Sequence, residues 1–463
     1  MSAQNTDFKG ASMQPQDSVN TFDASEAYKT NHQTLLRVLN VSDSVTEIPR
    51  KLSLAIERIL VDRAHNTLVP YAGDRGIETL LRAFSDAWQV FHERWYNGHL
   101  MGIYGALGAS TGEAIRFEVS LAPGGQLICT AGPTTSLSAM LEAFDAFDRQ
   151  LHVVSYRMGC DYVLLSEGYN PLVKSPLDVA LVPRTRWTLY NAHLGQTGRY
   201  ARDAMRCECA TTITMGLGTS LSSAQEYRTA VALMPILTFL TDNVRSFRGA
   251  DPRNTQRMTR SIIWDEVDKT RCGVVPTTFD EDFGAESYIS WLEDIQPIIF
   301  VDDAGTTTST GKQTLRDIMH QRTFTTREAA NALTNVLPSV RLLSSSMELM
   351  QADALRPRMA VAYLAFVKGL FSSRFAVSAT SAFLGRVSVR DVENAMRSLR
   401  AHGWNAHVYG KSISQIVDQL LQIARTELDT QERRVLAEIA EQWEVHMVPR
   451  DTFVHQAFRH YRD

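Results

Sequence analysis

Residues 120–133 read SLAPGGQLICTAGP. The PGGQ core at 123–126 is a tight glycine turn, because Gly124 and Gly125 carry no Cβ and adopt conformations that other residues avoid. The runs on either side are strand-like. Residues 115–121, IRFEVSL, alternate strictly: Ile115, Phe117, Val119 and Leu121 face one way, and Arg116, Glu118 and Ser120 the other. Ala122 continues the polar side, and a second short strand runs from Gln126 through Thr130. A turn of this kind can also bring backbone N–H groups close to a ligand. Yet the positions beside it, Ala122 and Ile128, are chemically inert.

Working outward, SLAIERILV at 53–61 predicts a strand and PYAGDR at 70–75 a turn. Ile77, Leu80, Leu81, Phe84, Trp88 and Phe91 recur at helical spacing and read as core packing. A helix with Leu137, Met140, Leu141, Phe144 and Phe147 on one face follows the second strand. Further strands are expected at 161–166, 207–215 and 297–302, with a long helix carrying Leu233, Ile236, Leu237 and Leu240. Beyond about residue 325 the chain reads as mostly helical, and Asp429 with Glu432 starts a helix in the manner of a capping box. Strand pairs mixed with long helices, without strict β–α alternation, predict an α+β fold. Residues 1–27 are polar and aperiodic and are read as a disordered leader, leaving 28–463 as a single domain.

The composition excludes several classes. Of 463 residues, 44% are hydrophobic and 21% charged, as in an ordinary globular protein. A net charge of −4 with scattered Lys and Arg gives no nucleic-acid footprint. No run approaches the roughly 18 apolar residues of a membrane span. The start of the chain has no basic segment leading into an apolar one, so no signal peptide is expected and a cytoplasmic location is. The five cysteines are expected to be free thiols. Cys207 and Cys209 form a C-x-C pair, but a zinc site needs a second pair and none is found.

A set of ordered motifs then carries a resemblance. SLAIERILVD at 53–62, PYAGDRGIETLL at 70–81, SLAPGGQ at 120–126, GYNP at 168–171, VPRTRW at 182–187, RSIIWDEVDKTRCG at 260–273 and MELMQAD at 347–353 resemble those of the plant-type and bacterial glutamate–cysteine ligases, over about residues 50–370. The resemblance implies a glutamine-synthetase-like catalytic fold, a curved antiparallel sheet forming a half-funnel backed by helices. It also implies joining of the γ-carboxylate of glutamate to the amine of cysteine through an acyl phosphate, with ATP and Mg²⁺. Mg²⁺ takes hard oxygen ligands, and the family places acids on the inner face of its strands to supply them. Here the expected acids are Ala55, Ala122 and Ile128, with Glu57 remaining. The strand that resembles Q-V-N-L-D reads Thr212-Ile213-Thr214-Met215-Gly216, and the arginine of the late motif is Met350, between Glu348 and Asp353.

The scaffold residues and several arginines remain while the metal-facing acids are gone. Glu57 could ligate Mg²⁺ weakly or pair with an arginine. Gln126 could orient a substrate carboxylate or be a solvated turn side chain. Arg184, Arg186, Arg260 and Arg271 could bind an anion, Arg260 and Arg271 bidentately; salt bridges with Asp265 or Asp268 are the structural alternative for these two. Trp264 could pack or stack on a base. Glu118 and Glu208 could be relocated catalytic acids, and Gly124 and Gly125 would shape the anion site. The expectation is a divergent amide-forming ligase or acyl transferase. Its partner would be a small amino-acid-like substrate, with ATP and Mg²⁺ bound weakly or not at all. The alternative is a catalytically inactive member that binds or regulates, and standard glutamate–cysteine ligase activity is not expected.

Overall fold

The computed structural model describes residues 23–39, 50–88, 90–108, 114–218, 220–252 and 257–447. Its strands begin with β1 (Leu52–Asp62), β2 (Thr67–Leu68), β3 (Phe91–Tyr96), β4 (His99–Gly108), β5 (Ala114–Leu121), β6 (Leu127–Thr134), β7 (Tyr162–Leu165) and β8 (Ala210–Gly216). Then come four short ones, β9 (Cys272–Gly273), β10 (Ile299–Val301), β11 (Thr307–Ser309) and β12 (Leu337–Pro338), before β13 (Val340–Leu343) and β14 (Ser346–Asp353). The helices include α1 (Ala24–Leu39), α2 (Ile77–Ala87), α3 (Leu137–Arg157), α4 (Thr185–Leu194), α5 (Ala201–Arg206), α6 (Ser220–Thr241) and α7 (Thr259–Asp265). After α8 (Ala285–Glu293), α9 (Leu315–Met319) and α10 (Thr326–Ala332), the chain closes with α11 (Pro357–Phe371), α12 (Arg374–Leu384), α13 (Val389–His402), α14 (Ile413–Glu427) and α15 (Thr430–Met447).

One antiparallel sheet runs β13-β14-β8-β1-β6-β5-β4-β3, with β2 and β7 pairing on β1. Period-2 alternation decides its two faces. Leu54, Ile56, Phe117, Val119, Leu127, Cys129, Ile213, Met215, Met347 and Leu349 are buried on one face. The helices α2, α3, α6 and α11 pack there. Burying each large apolar side chain of this layer stabilises the fold by about 1.5–3 kcal/mol. Register places Glu118, Thr130, Ala55 and Thr212 in one row across β5, β6, β1 and β8. A second row holds Ser120, Ile128 and Glu57, and a third Ser53, Thr214, Glu348 and Arg341. These residues are half-buried throughout. The fold is α+β, with the antiparallel sheet and helical backing that the alternation and the resemblance implied.

Several expectations are corrected. Residues 1–22 lie outside the described residues, but α1 begins at Ala24, inside the stretch read as a leader. Ala27, Asn31, Thr34, Leu35 and Val38 recur on one helical face and are buried against the body of the protein. The helix read through Phe91 stops at Ala87, because Trp88 is extended and Phe91 opens β3. Residues 337–353, in the part read as helical, form β12, β13 and β14, and β14 pairs directly with β8. The strand expected from Cys207 starts at Ala210, while Glu208 makes only a single bridge to Tyr169. Ala122 does not continue the open face: it is 4% exposed, and its N–H donates to the Gln126 carbonyl across the turn.

Candidate functional site

The opening turn is held by the chain itself. Gly125 has φ +85°, the left-handed region that glycine enters at no steric cost. A Cβ on Gly124 would lie 2.2 Å from the Arg206 carbonyl oxygen, so this position is reserved for close approach of the segment leading into β8. Gln126 fixes the same approach. It is buried, and its Nε2 donates to the carbonyls of Arg206 at 3.0 Å and Glu208 at 3.2 Å. Gln126 is therefore not a solvated turn residue, and Gly124 and Gly125 shape the β8 approach.

That approach delivers Glu208 to a polar cluster. Arg260, in the first turn of α7, is 4% exposed and Glu208 8% exposed. Arg260 Nε donates to the Glu208 carboxylate. Its Nη1 donates to the Ala352 carbonyl at 3.3 Å, and its Nη2 to the Met350 carbonyl at 2.8 Å. Those carbonyls flank an irregularity in the β14–β8 register between Leu349 and Ala352, a place where a strand can re-aim its groups. Glu57 accepts from the Ala210 N–H at 2.8 Å. Its carboxyl is pushed up to about 8, first by burial and then by the charge of Glu208, with Arg260 partly offsetting both. At the end of β14, Asp353 accepts from the Asn243 N–H at 3.0 Å. It too is pushed up to about 8, by burial and then by Asp242. Gly168 of the GYNP motif closes the cluster, since a Cβ there would lie 2.3 Å from the Asp353 carboxylate.

The other arginines stand elsewhere. Arg271, 1% exposed, donates through Nε to Asp268 at 2.7 Å, through Nη1 to the Asn335 carbonyl at 3.0 Å and through Nη2 to the Gln296 carbonyl at 2.9 Å. Its Nη2 also meets His193 Nε2 at 3.3 Å, so Arg271 ties the segment between α7 and β9 to those before β10 and β12. Arg184 lies 5.7 Å from the Tyr96 ring centre and 5.6 Å from that of Trp187; Arg186 lies 5.0 Å from Trp187 and 5.6 Å from Tyr190. Neither has a carboxylate partner among the described residues, and burial followed by the charge of Arg186 lowers the affinity of Arg184 for its proton. The four arginines read as anion binders thus stand in three separate surroundings. Glu118 is neutralised on the open face by Arg94 and Arg116.

A cavity of about 480 Å³ opens beside Arg260, a volume suited to a small molecule. It is lined by Arg260, Trp264 and Asp265 of α7, by Met350 and Gln351 of β14, by Lys269, and by α13 with Val392 and Met396 but also Glu393, Arg397 and Arg400. Gln351 is 5% exposed, and neither its Oε1 nor its Nε2 has a partner; Trp264 Nε1 is likewise buried without one. Leaving such groups unpaired costs about 1–3 kcal/mol each. The sequence reading found Arg260 and Trp264 but not Gln351 or α13. The helix α13 is legible from its Ser388–Asp391 capping box, but its docking across the cavity is not.

Among the described residues, the open face does not supply a metal site. Ala55, Ile128, Thr130 and Thr212 bring no carboxylate to its centre, and Glu118 and Glu348 are each paired with arginine. No group of three His, Cys, Asp or Glu among the described residues is placed to hold a metal ion. Glu57 alone remains, with one carboxylate, where Mg²⁺ wants octahedral oxygen coordination.

Known proteins carry the same sequence pattern. The model of Glutamate-cysteine ligase family 2 (GCS2) matches residues 55–446. The chain is 26% identical over 320 residues to glutamate–cysteine ligase B, chloroplastic, of Oryza sativa subsp. japonica, covering 67% of this chain and 63% of the relative. With the Brassica juncea chloroplastic glutamate–cysteine ligase the identity is 28% over 260 residues, covering 55% and 49%. The chain therefore spans less than two thirds of the length of these relatives. Among solved structures, a chain from the complex between prokaryotic ubiquitin-like protein Pup and its ligase PafA superposes with a TM-score of 0.40 at 10% identity, over 86% of this chain and 64% of that one. With the family pattern running from β1 to the last turn of α15, this chain belongs to glutamate–cysteine ligase family 2.

Proposed function

We propose that this protein is an amide-forming enzyme of the carboxylate–amine ligase type, acting on an amino-acid-like substrate in the cavity beside Arg260, with altered use of ATP and Mg²⁺. Family membership supports the reaction class, since the matched relatives are named glutamate–cysteine ligases. The observation that carries the site is Arg260 itself, buried on the cavity wall beside Glu208. Three of its five N–H donors are taken in the contacts above, and two remain for a bound carboxylate.

In amide formation the amine nitrogen attacks an activated acyl carbon. The C–N bond forms, the bond from carbon to the leaving oxygen breaks with its electron pair, and the amine gives up a proton. Glu57 is the carboxylate of the open face without an arginine partner among the described residues. Its proton affinity, raised to about 8, suits it to accept a proton at mildly alkaline pH. The residues present do not fit the bound Mg²⁺ of the family pattern, so the activated donor is either made with weakly held metal or arrives already activated.

The test is product formation by the purified chain with amino acid pairs, supplied with Mg²⁺–ATP in one arm and with a preformed acyl phosphate in the other. Amide is expected by mass spectrometry in the second arm and slowly or not at all in the first, and Glu57→Gln should abolish it. A second reading, a binding or regulatory protein without turnover, rests on the missing metal donors. Ligand binding with no amide in either arm would establish it.

A further inference from the structure

The first helix is fastened to the body through a single proton. α1 packs on α8, α9, α10 and β13, with Ala27, Leu35, Val38 and Leu39 buried beneath it. Asn31 anchors it to the segment between α9 and α10. Its Nδ2 donates to the carbonyls of Met319 at 2.9 Å and Arg322 at 2.7 Å, and its Oδ1 accepts from the Phe324 N–H at 2.6 Å. Next to it, His32 lies between two carboxylates that α8 presents from one face, two turns apart. Nδ1 is 2.6 Å from Glu293 Oε1, and Nε2 is 2.8 Å from Glu286 Oε2. A neutral imidazole carries one N–H, and an ionised carboxylate only accepts. Two ionised carboxylates are therefore both bonded only when the ring is an imidazolium. Burial works against the charged ring, but Glu293 and then Glu286 outweigh it and hold the His32 proton above the ordinary histidine value of 6.5.

The surrounding charges are otherwise matched. Glu293 Oε2 accepts from the Tyr28 hydroxyl at 2.8 Å and from Arg316 of α9 at 2.8 Å, and Arg316 also meets Asp294 at 2.9 Å. From α9, the His320 ring stacks on Tyr28 at 4.8 Å, and its Nδ1 donates to the Ala24 carbonyl at 3.1 Å. Glu328 of α10 pairs with Arg322, and Arg341 of β13 with Glu348. On α1 itself Lys29 faces Glu26, and Arg37 donates to Thr34 Oγ1. Histidine is the side chain that ordinarily changes charge between pH 5 and 8, so His32 and His320 are the groups to separate. A proton held more tightly in the docked state stabilises docking fully below the ordinary value, and this support is lost as pH rises through the raised one.

We propose that α1 is a pH-sensitive strap, closed on α8 while the His32 imidazolium bridges Glu293 and Glu286, and loosened when that proton leaves to water while the sheet stays folded. The neutral ring keeps one N–H on the buried Glu293, and Glu286, whose side chain is 68% exposed, turns to solvent. The proposal is independent of the reading of the cavity beside Arg260.

The experiment is amide hydrogen exchange of the full-length protein, read by mass spectrometry at about pH 6 and about pH 9 and corrected for the intrinsic exchange rate at each pH. Protection of α1 should fall by on the order of tenfold relative to that of β1 and β6. His32→Gln should remove this fall and resemble the parent at high pH under both conditions, whereas His320→Gln should leave the fall in place. Glu286→Gln removes one arm of the bridge at the surface and should shrink the fall, which provides a second variant should His32→Gln fail to fold. Magnetic resonance titration of isotope-labelled histidine should show His32 losing its proton above 6.5. Equal relative protection of α1 at both pH values, an undiminished fall in folded His32→Gln or Glu286→Gln, or His32 titrating at or below 6.5 would each overturn the proposal.

Discussion

Replacing Arg260 with alanine tests the centre of the site. The guanidinium is 4% exposed and makes three contacts, to the Glu208 carboxylate and to the carbonyls of Ala352 and Met350. The variant leaves Glu208, 8% exposed, as a buried charge without its partner. Breaking a buried pair from one side costs about 3–5 kcal/mol, because the remaining charge keeps its desolvation penalty. Unfolding a chain of 463 residues at roughly 2.1 cal/mol/K per residue carries an entropy of about 1 kcal/mol/K, so the melting temperature should fall by about 3–5 °C. Arg260→Ala combined with Glu208→Gln should recover part of the loss, since the second change removes the stranded charge. The assay is thermal and urea unfolding of the parent, both single variants and the double variant. A stability of Arg260→Ala within about 0.5 kcal/mol of the parent, or strictly additive losses in the double variant, would refute the buried pair and return Arg260 to the solvent.

Stability should also depend on pH with a fixed sign. Glu57 and Asp353 bind protons more tightly folded, near 8, than at their ordinary values of 4.5 and 3.8. Their contribution is therefore present at low pH and lost as pH rises toward 8, at no more than about 1.4 kcal/mol per pH unit per group. Urea midpoints at about pH 5 and about pH 8.5 measure this, and Glu57→Gln should flatten the profile; an unchanged slope would contradict it. Ala55→Glu with Ile128→Glu should create a metal site, because Ile128 lies directly opposite Glu57 and Ala55 shares its face. Calorimetry should show Mg²⁺–ATP binding improved by on the order of tenfold, and no gain would mean that the open face is not the nucleotide side. A glutamate at the buried position 122 should not contribute. Gly168→Ala would force the Asp353 carboxylate aside from a 2.3 Å overlap and should cost about 1–3 kcal/mol in urea unfolding. A neutral effect would mean that the carboxylate relaxes freely.

Local alternation and turn chemistry made much of this protein readable from its amino acids. IRFEVSL announces β5, the left-handed φ at Gly125 is what a glycine turn requires, and the polar face that positions 55 and 128 share on β1 and β6 follows from period-2 alternation. The partners of those groups were not readable. Glu208 and Arg260 are 52 residues apart, and nothing local distinguishes Arg260, which lines a cavity, from Arg271, which does not and instead meets Asp268, His193 and two carbonyls. The strand β14 hid within a segment read as helical because its Met-Glu-Leu-Met run suits either period. Only pairing with β8 selects the strand, and only the irregularity at 350–351 brings Gln351 to the cavity wall. The cavity exists because α13 comes together with β14 and with α7, which lies more than a hundred residues before it in the chain, and no local propensity encodes that meeting.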